Sequence, residues 1–339
     1  MILRFFIFVI VVLVFCGAQS KQKYRAFHLN GYAQGTSYHI TYYAMDSLAT
    51  SFEVDQILNG IDSSLSLYKS YSLICRFNNS DTGVVMDSHF KRVLTKSLEI
   101  YKKTMGMADA TVMPLVQAWG FGVIPVKQFP DSTAIKNLMK CVGSEKLYIK
   151  NNTLYKTNPC VNLDFNGIAQ GYSVDVLAEM LERKSILNYM VELGGEIRLK
   201  GKKWPSGEPI KIGIETPDDQ DFQRFAMQKI LVVDSGGITT SGSYRKYLKM
   251  DKRQISHLID PHTGYPVVNE LVSVTVCAKD AITADGYDNA LMGFGLKKAL
   301  DFIKNQDHMQ AYFIYRDSTG KLRDTASVGF SKYFEKVIN

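Results

Sequence analysis

Leu163-Asp164-Phe165-Asn166-Gly167-Ile168-Ala169-Gln170-Gly171-Tyr172-Ser173-Val174-Asp175 is the stretch around which this chain is organised. The apolar approach from Val161 to Phe165 reads as a short strand, and two glycines turn it. Val176, Leu177, Met180 and Leu181 then continue a helical pattern. A glycine-bearing turn that opens a helix presents backbone N–H groups and a positive dipole end, both suited to phosphate. Strand, turn and helix with glycine is also common punctuation. The stretch is neither a G-x-x-x-x-G-K-S/T loop nor a G-x-G-x-x-G fingerprint, so it gives no support to ordinary nucleotide-binding folds.

The chain of 339 residues is long enough for one large domain, and 46% hydrophobic with 22% charged residues excludes global disorder. Ile2 to Phe15 is apolar apart from Arg4, too short for a comfortable membrane span and right for a signal-peptide core. Residues 1–18 are therefore read as a signal peptide, which makes the protein exported and periplasmic. Two exits stay open. Cys16-Gly17-Ala18 suits cleavage after Ala18, while Leu13-Val14-Phe15-Cys16 resembles a lipoprotein box that would leave a lipidated Cys16 as a membrane anchor. Cys75, Cys141, Cys160 and Cys277 are scattered without metal-ligand spacing and read as buried or unpaired thiols. Cys141 with Cys160 is the one pairing singled out for testing. Net charge is +7, but the lysines are dispersed, so nucleic acid is not implied.

Gly31 to Tyr43 reads as a glycine turn entering an alternating strand, and Phe52 to Leu67 as a helix. Ser66 to Asn78 is polar and studded with aromatics, Tyr68 among them. Asp87 or Ser88 caps a further helix that stops at Gly106, and Asp131 or Ser132 caps one that runs to Cys141. Between these, Asp109 to Gly122 holds Trp119 beside two glycines, as a core corner or as the aromatic wall of a ring-binding cleft. Leu147 to Thr157 reads as a hairpin turning at Asn151-Asn152. The Gly194-Gly195 pair inside a strand pattern suggests a bulge or a close approach to a ligand.

Thr239 to Gly242 forms a hydroxyl cluster ahead of Tyr244-Arg245, and His257 heads a turn dictated by Asp260-Pro261 and Thr263-Gly264. The last long helix runs from Ala284 to Phe302. Asp285 and Asn289 share one of its faces, as hard oxygen ligands for Mg²⁺ or as capping and solvated groups. Asp288, one position earlier than Asn289, is an extra metal contact or a solvated side chain, and its offset from the centre of that face favours the second.

Taken together these blocks resemble the ApbE family of FAD:protein FMN transferases. The likeness runs from about Gly31 to the last helix, with five blocks in the family's order: Gly35-Thr36; Ser66 to Asn78; Asp109 to Gly122; Asp164 to Asp175 with Gly194-Gly195; and Thr240-Ser241-Gly242 with His257 to Gly264 and Ala284 to Ala290. The resemblance implies a compact α+β domain over residues 19–339, ApbE-like (T-fold-like), with mixed sheets and packed helices. It implies FAD as substrate, with Mg²⁺ held by Asp285, Asn289 and the Gly167 carbonyl. Tyr68, Trp119, Asp164, Gln170, Asp175, Thr240 and Ser241 would face the cofactor, and His257 would be catalytic. Gln170 stands where the family usually has lysine, and Asn289 where threonine is usual.

The reaction so implied moves FMN from FAD onto a threonine or serine hydroxyl of an acceptor protein, with AMP released. Acceptors would be membrane redox-pump subunits or extracytoplasmic electron carriers that bear a flavinylation motif. This chain carries no convincing copy of that motif. A Mg²⁺-dependent FAD pyrophosphatase and a non-catalytic FAD-binding lipoprotein are the alternatives.

Overall fold

A computed structural model describes residues 24–335 except 219–220, 244–246 and 251–252. The signal segment, Cys16 and Tyr244-Arg245 lie outside the described residues. Strands β1 (Arg25–Ala33) and β2 (Thr36–Ala44) form a hairpin turned by Gln34 and Gly35, both at positive φ. Helices α1 (Ser51–Leu65) and α2 (Leu73–Asn79), strand β3 (Gly83–Val85) and helix α3 (Ser88–Lys103) follow. Thr50 and Glu53 close a reciprocal capping box on α1, and Asp87 caps α3 by accepting the Phe90 N–H at 2.8 Å.

Short helices α4 (Met113–Ala118) and α5 (Ser132–Leu138) lead to the hairpin β4 (Leu147–Lys150) and β5 (Thr153–Lys156). As expected, that hairpin turns at Asn151-Asn152, both left-handed with φ of 49° and 59°. Helix α6 (Ala169–Arg183) then precedes β6 (Tyr189–Leu193), β7 (Glu196–Lys200), β8 (Lys211–Asp218), β9 (Asp221–Val232) and β10 (Ser235–Gly242). The chain finishes with β11 (Tyr247–Met250), β12 (Arg253–Ser256), β13 (Leu271–Ala278), α7 (Ala281–Phe294), α8 (Leu296–Ile303), β14 (Met309–Arg316) and β15 (Leu322–Ala326).

Eight strands build the main antiparallel sheet in the order β1-β2-β6-β7-β10-β13-β14-β15. One face packs on α6 and α7 through Val174, Leu177, Ala281 and Leu291, with α1 to α3 outside them. The other face, near the C-terminal strands, is covered by β8 and Phe330. This α+β arrangement agrees with the fold class read from the sequence.

Three local readings are corrected and one segment left open is filled in. Val161 to Phe165 is extended but makes only an isolated bridge, Val112 to Asn162, and joins no sheet. Its backbone groups are taken by side chains instead: Asn78 bonds both the carbonyl and the N–H of Leu163, and Lys156 Nζ donates to the Val161 carbonyl. The expected final helix is two, broken at Gly295, whose φ of 71° ends α7. The segment ending at Asn78 contains the helix α2, capped by Ser72. Cys141 and Cys160 are joined in a disulfide, so the unpaired reading holds only for Cys75 and Cys277.

Candidate functional site

The decisive turn is built on Asp164. Its N–H donates to the Ala110 carbonyl at 2.7 Å, and its carboxylate accepts the Asn166 N–H at 2.7 Å, bending the chain into Gly167. Helix α6 opens at Ala169 without a side-chain cap. Its first-turn donor at Gly171 is claimed by a carboxylate from another helix: the Gly171 N–H donates to Asp285 Oδ2 at 2.8 Å. One donor at the positive end of α6 is therefore spent on an acid of the protein itself and is not open to phosphate.

Glycine at 171 is a packing requirement. A methyl there would lie 2.5 Å from the Ala281 carbonyl oxygen and 2.6 Å from Asp285 Cβ, so α6 and α7 touch only because no Cβ intervenes. Gly171→Ala is therefore expected to destabilise the fold by about 1–3 kcal/mol through overpacking against backbone. Denaturant unfolding checks this; an unchanged midpoint would show that the helices separate freely.

Asp175 lies one turn further along α6 and accepts the Ala281 and Ile282 N–H groups at 2.9 and 2.8 Å. Both oxygens are thus spent on the N-terminus of α7, which Asp280 also caps. Burial pushes the Asp175 carboxyl up to about 6, against the opposing pull of those N–H bonds and Arg198. Asp175 thus positions the helix that carries Asp285.

Helix α7 brings two acids inside. Asp285 is 4% and Asp288 2% exposed, so the reading of Asp288 as a solvated side chain is overturned. Asp288 Oδ2 accepts the Thr239 hydroxyl at 2.8 Å, while Oδ1 is buried without a partner. Burial raises the Asp285 carboxyl to about 7, with the Asp175 charge adding to it. Burial also raises the Asp288 carboxyl well above the usual carboxylate range, with the Asp285 charge as the second cause.

Asn289 Oδ1 accepts the Ser241 hydroxyl at 2.8 Å, and its amide packs so closely on Gly167 that a methyl there would meet Nδ2 at 2.9 Å. Gly167, Ser241, Asp285 and Asn289 are thereby brought into one neighbourhood around α7. The donor set is two carboxylates with neutral oxygens, and Asp288 offers one orphaned buried oxygen. That composition fits a hard cation that keeps some water or phosphate in its shell. Among the described residues no cluster of three or more acidic, histidine or cysteine side chains stands ready to enclose a metal unaided.

Strand alternation separates Thr240 from its neighbours. Thr239 and Ser241 face α7, whereas Thr240 points to the opposite face and bonds Thr275 at 2.9 Å. There it lines a cleft of about 390 Å³ with Thr36, Gly194, Gly195, Ile212 and Glu215. The two faces communicate past the end of β7. The β7 pairing of β10 stops at Ile238, and the Gly194-Gly195 turn leaves Thr239 to Gly242 without that neighbour. Gln170 stands at this gap, its amide nitrogen 3.0 Å from where a methyl on Gly194 would lie.

A further group of expected residues gathers around the turn after β12. Trp119 is 7% exposed and its indole N–H donates to the Gly264 carbonyl at 2.8 Å, so it is a core corner that braces the turn. Phe121 meets the His257 ring edge-on at 6.3 Å. Tyr68 is 67% exposed, available to stack on a planar ring rather than packed. Sequence reasoning placed Thr239 in a hydroxyl cluster but missed its role, because its partner lies in another element. It also missed Asp109, which holds the Thr111 and Ser144 hydroxyls, each at 2.7 Å, and shapes the loop beside Asp164. The Asp-x-Thr spacing was the available signal for Asp109.

With this geometry in place, comparison with known proteins is decisive. A model of the ApbE family matches residues 34–313. The chain belongs to the ApbE family. Relatives named FAD:protein FMN transferase are 35% identical in Haemophilus influenzae, over 94% of this chain and 94% of the relative, and 35% in Vibrio cholerae, over 91% and 93%. The solved flavin transferase ApbE from Vibrio cholerae superposes with a TM-score of 0.82 at 34% identity, covering 91% of this chain and 99% of that one. The apo flavinyl transferase ApbE of Pseudomonas stutzeri gives 0.83 at 32%, covering 93% and 99%. The ApbE core thus embraces the turn, the α7 acids and the gap beyond β7 alike.

Proposed function

We propose that this protein is a Mg²⁺-dependent FAD:protein FMN transferase, moving FMN from FAD onto a threonine or serine hydroxyl of an acceptor protein with release of AMP. The observation that carries the proposal is the buried Asp285–Asp288 pair on α7, set against Gly167 and Ser241 at a gap in the sheet. Family membership and the names of the relatives support the flavin chemistry.

Asp285, Asn289 and the Gly167 carbonyl would hold Mg²⁺, which when bound neutralises pyrophosphate charge as AMP leaves. The chain supplies the rest. The turn at Gly167 lets a pyrophosphate approach the backbone, and Gln170 offers an amide donor at the gap. Tyr68 gives the flavin ring a face to stack on. His257 acts as general base toward the acceptor hydroxyl, a poor nucleophile at neutral pH. Acceptors are extracytoplasmic proteins bearing a flavinylation motif, of the redox-pump or electron-carrier kind, and the enzyme works after export.

Incubation with FAD, Mg²⁺ and a motif-bearing acceptor, followed by weighing of the acceptor, tests the proposal. A mass gain of one FMN is expected. Free FMN with unmodified acceptor would make the protein an FAD pyrophosphatase, and intact FAD would make it a binder.

A further inference from the structure

The sheet has two unlike ends. The turns at Gln34-Gly35 and Gly194-Gly195 lie at the end that borders the cleft. The register fixes what lies at the other. Arg25 pairs with Ala44, Tyr42 with Tyr189, and Tyr189 with Lys200, so the start of β1, the end of β2, the start of β6 and the end of β7 are level. Everything attached to those positions emerges on the side away from the site.

Four large apolar side chains stand exposed there: Tyr24 at 39%, Met45 at 45%, Leu187 at 52% and Trp204 at 44%. Contacts join them. The Tyr24 and Trp204 rings lie 5.6 Å apart, and a methyl on Gly201 would come within 2.6 Å of the Leu187 carbonyl. Lys202 and Lys203 border Trp204, and among the described residues neither forms an ion pair. Exposed apolar residues clustered with a tryptophan, a tyrosine and free lysines have the composition of a lipid-facing surface. Indole and phenol sit well at headgroup level, and lysine reaches back to phosphate.

The occupant is indicated by where the chain enters. Tyr24 is the first described residue, and only residues 16–23 separate it from the apolar stretch Ile2 to Phe15. Eight residues reach at most about 28 Å, so with a lipid on Cys16 the bilayer lies within that distance of this patch. Asp46 follows Met45, and Asp234 and Glu208, whose backbone carbonyls accept the Gly201 and Lys203 N–H groups, share this end with Arg25, Lys202 and Lys203. Lys21 and Lys23, immediately before Tyr24 in the sequence, tip the balance toward an anionic partner. Among the described residues no helix is long and apolar enough to cross a membrane, so contact here is made by a surface.

We propose that the Tyr24–Trp204 end of the sheet rests on an anionic bilayer surface, so that the cleft at the opposite end of the strands faces away from the membrane. A single acyl chain binds only marginally, and stable attachment takes a second signal, which this surface supplies. The inference does not depend on the flavin chemistry.

Tryptophan fluorescence tests it directly, because the chain has two tryptophans: Trp119 is buried on its hydrogen bond, and Trp204 is exposed. Full-length protein is mixed with vesicles of phosphatidylcholine and phosphatidylglycerol whose acyl chains carry bromine. The expected result is loss of the Trp204 share of the emission relative to unbrominated vesicles. Trp204→Phe should remove that quenchable share, and Lys202→Glu with Lys203→Glu should restore most of the emission. Emission equal in brominated and unbrominated vesicles would show that the domain hangs clear of the bilayer and overturns the proposal. Quenching that survives the two charge reversals unchanged also overturns it.

Discussion

Asp285→Asn is expected to lower Mg²⁺-dependent FMN transfer by about 10²- to 10³-fold, the loss that follows removal of one preorganised electrostatic contact in a buried site. The substitution keeps shape and still accepts the Gly171 N–H, now held by Oδ2 at 2.8 Å, so the α6–α7 contact survives. What it removes is the charge. In the metal-free protein that charge is a liability. Burial raises the Asp285 carboxyl from its ordinary 3.8 to about 7, so the folded state prefers the protonated acid. The resulting stability is fully present below about pH 4 and is lost as pH rises through about 7; Asp175, raised to about 6, adds a contribution of the same sign over about pH 4 to 6. In chelator, wild-type Tm therefore falls between pH 5 and 8, and the Asn variant falls less, by on the order of a few kcal/mol in stability. Calorimetry across that range with parallel transfer assays separates the two effects. Undiminished transfer removes Asp285 from the metal shell, and parallel Tm curves mean that its carboxyl titrates as it would in water.

The residues of this site differ in how far the sequence reveals them. Helical spacing made the shared face of Asp285 and Asn289 legible, whereas their reading as ligands, with the Gly167 carbonyl, came from the family resemblance, since glycine in a turn before a helix is common punctuation. Gly171 was legible as a glycine but not in its role, since only the packed α6–α7 pair shows that its missing Cβ admits Ala281 and Asp285. Asp288 was misread as solvated because a charged residue one helical step off a face gives no sign of a strand above it. Thr239 supplies that strand from far along the chain. Thr240 and Ser241 looked equivalent in sequence, but strand alternation sends them to opposite faces. Trp119 is the converse case: its neighbours suited a ligand wall or a corner equally, and only the fold shows that its indole braces Gly264. Local spacing carried the elements and the shared helical face. Long-range pairing, which no local pattern encodes, decided which way side chains point.

His257→Ala is expected to lower transfer by about 10²- to 10⁴-fold, the usual contribution of a positioned general base, while FAD binding is retained. The turn that follows His257 is held without the imidazole. The Asp260 N–H donates to the Tyr265 carbonyl at 2.9 Å, the Gly264 N–H donates to the Asp260 carbonyl at 2.8 Å, and Trp119 braces Gly264 from below. Truncation at 257 therefore removes the ring and its edge contact with Phe121 but leaves the backbone around it in place. A base acts on the acceptor hydroxyl and not on the dinucleotide, so the loss should fall on the rate of single-turnover transfer with FAD affinity unchanged. Intrinsic flavin fluorescence reads the affinity, and the mass of the acceptor reads the rate. Transfer at the wild-type rate would rule out the base. A fall in FAD affinity matching the fall in rate would instead make His257 part of the flavin pocket, through the wall that Phe121 shares. Since the same ring could serve either role, only the split between binding and turnover distinguishes them, and the braced turn makes that split measurable in a folded variant.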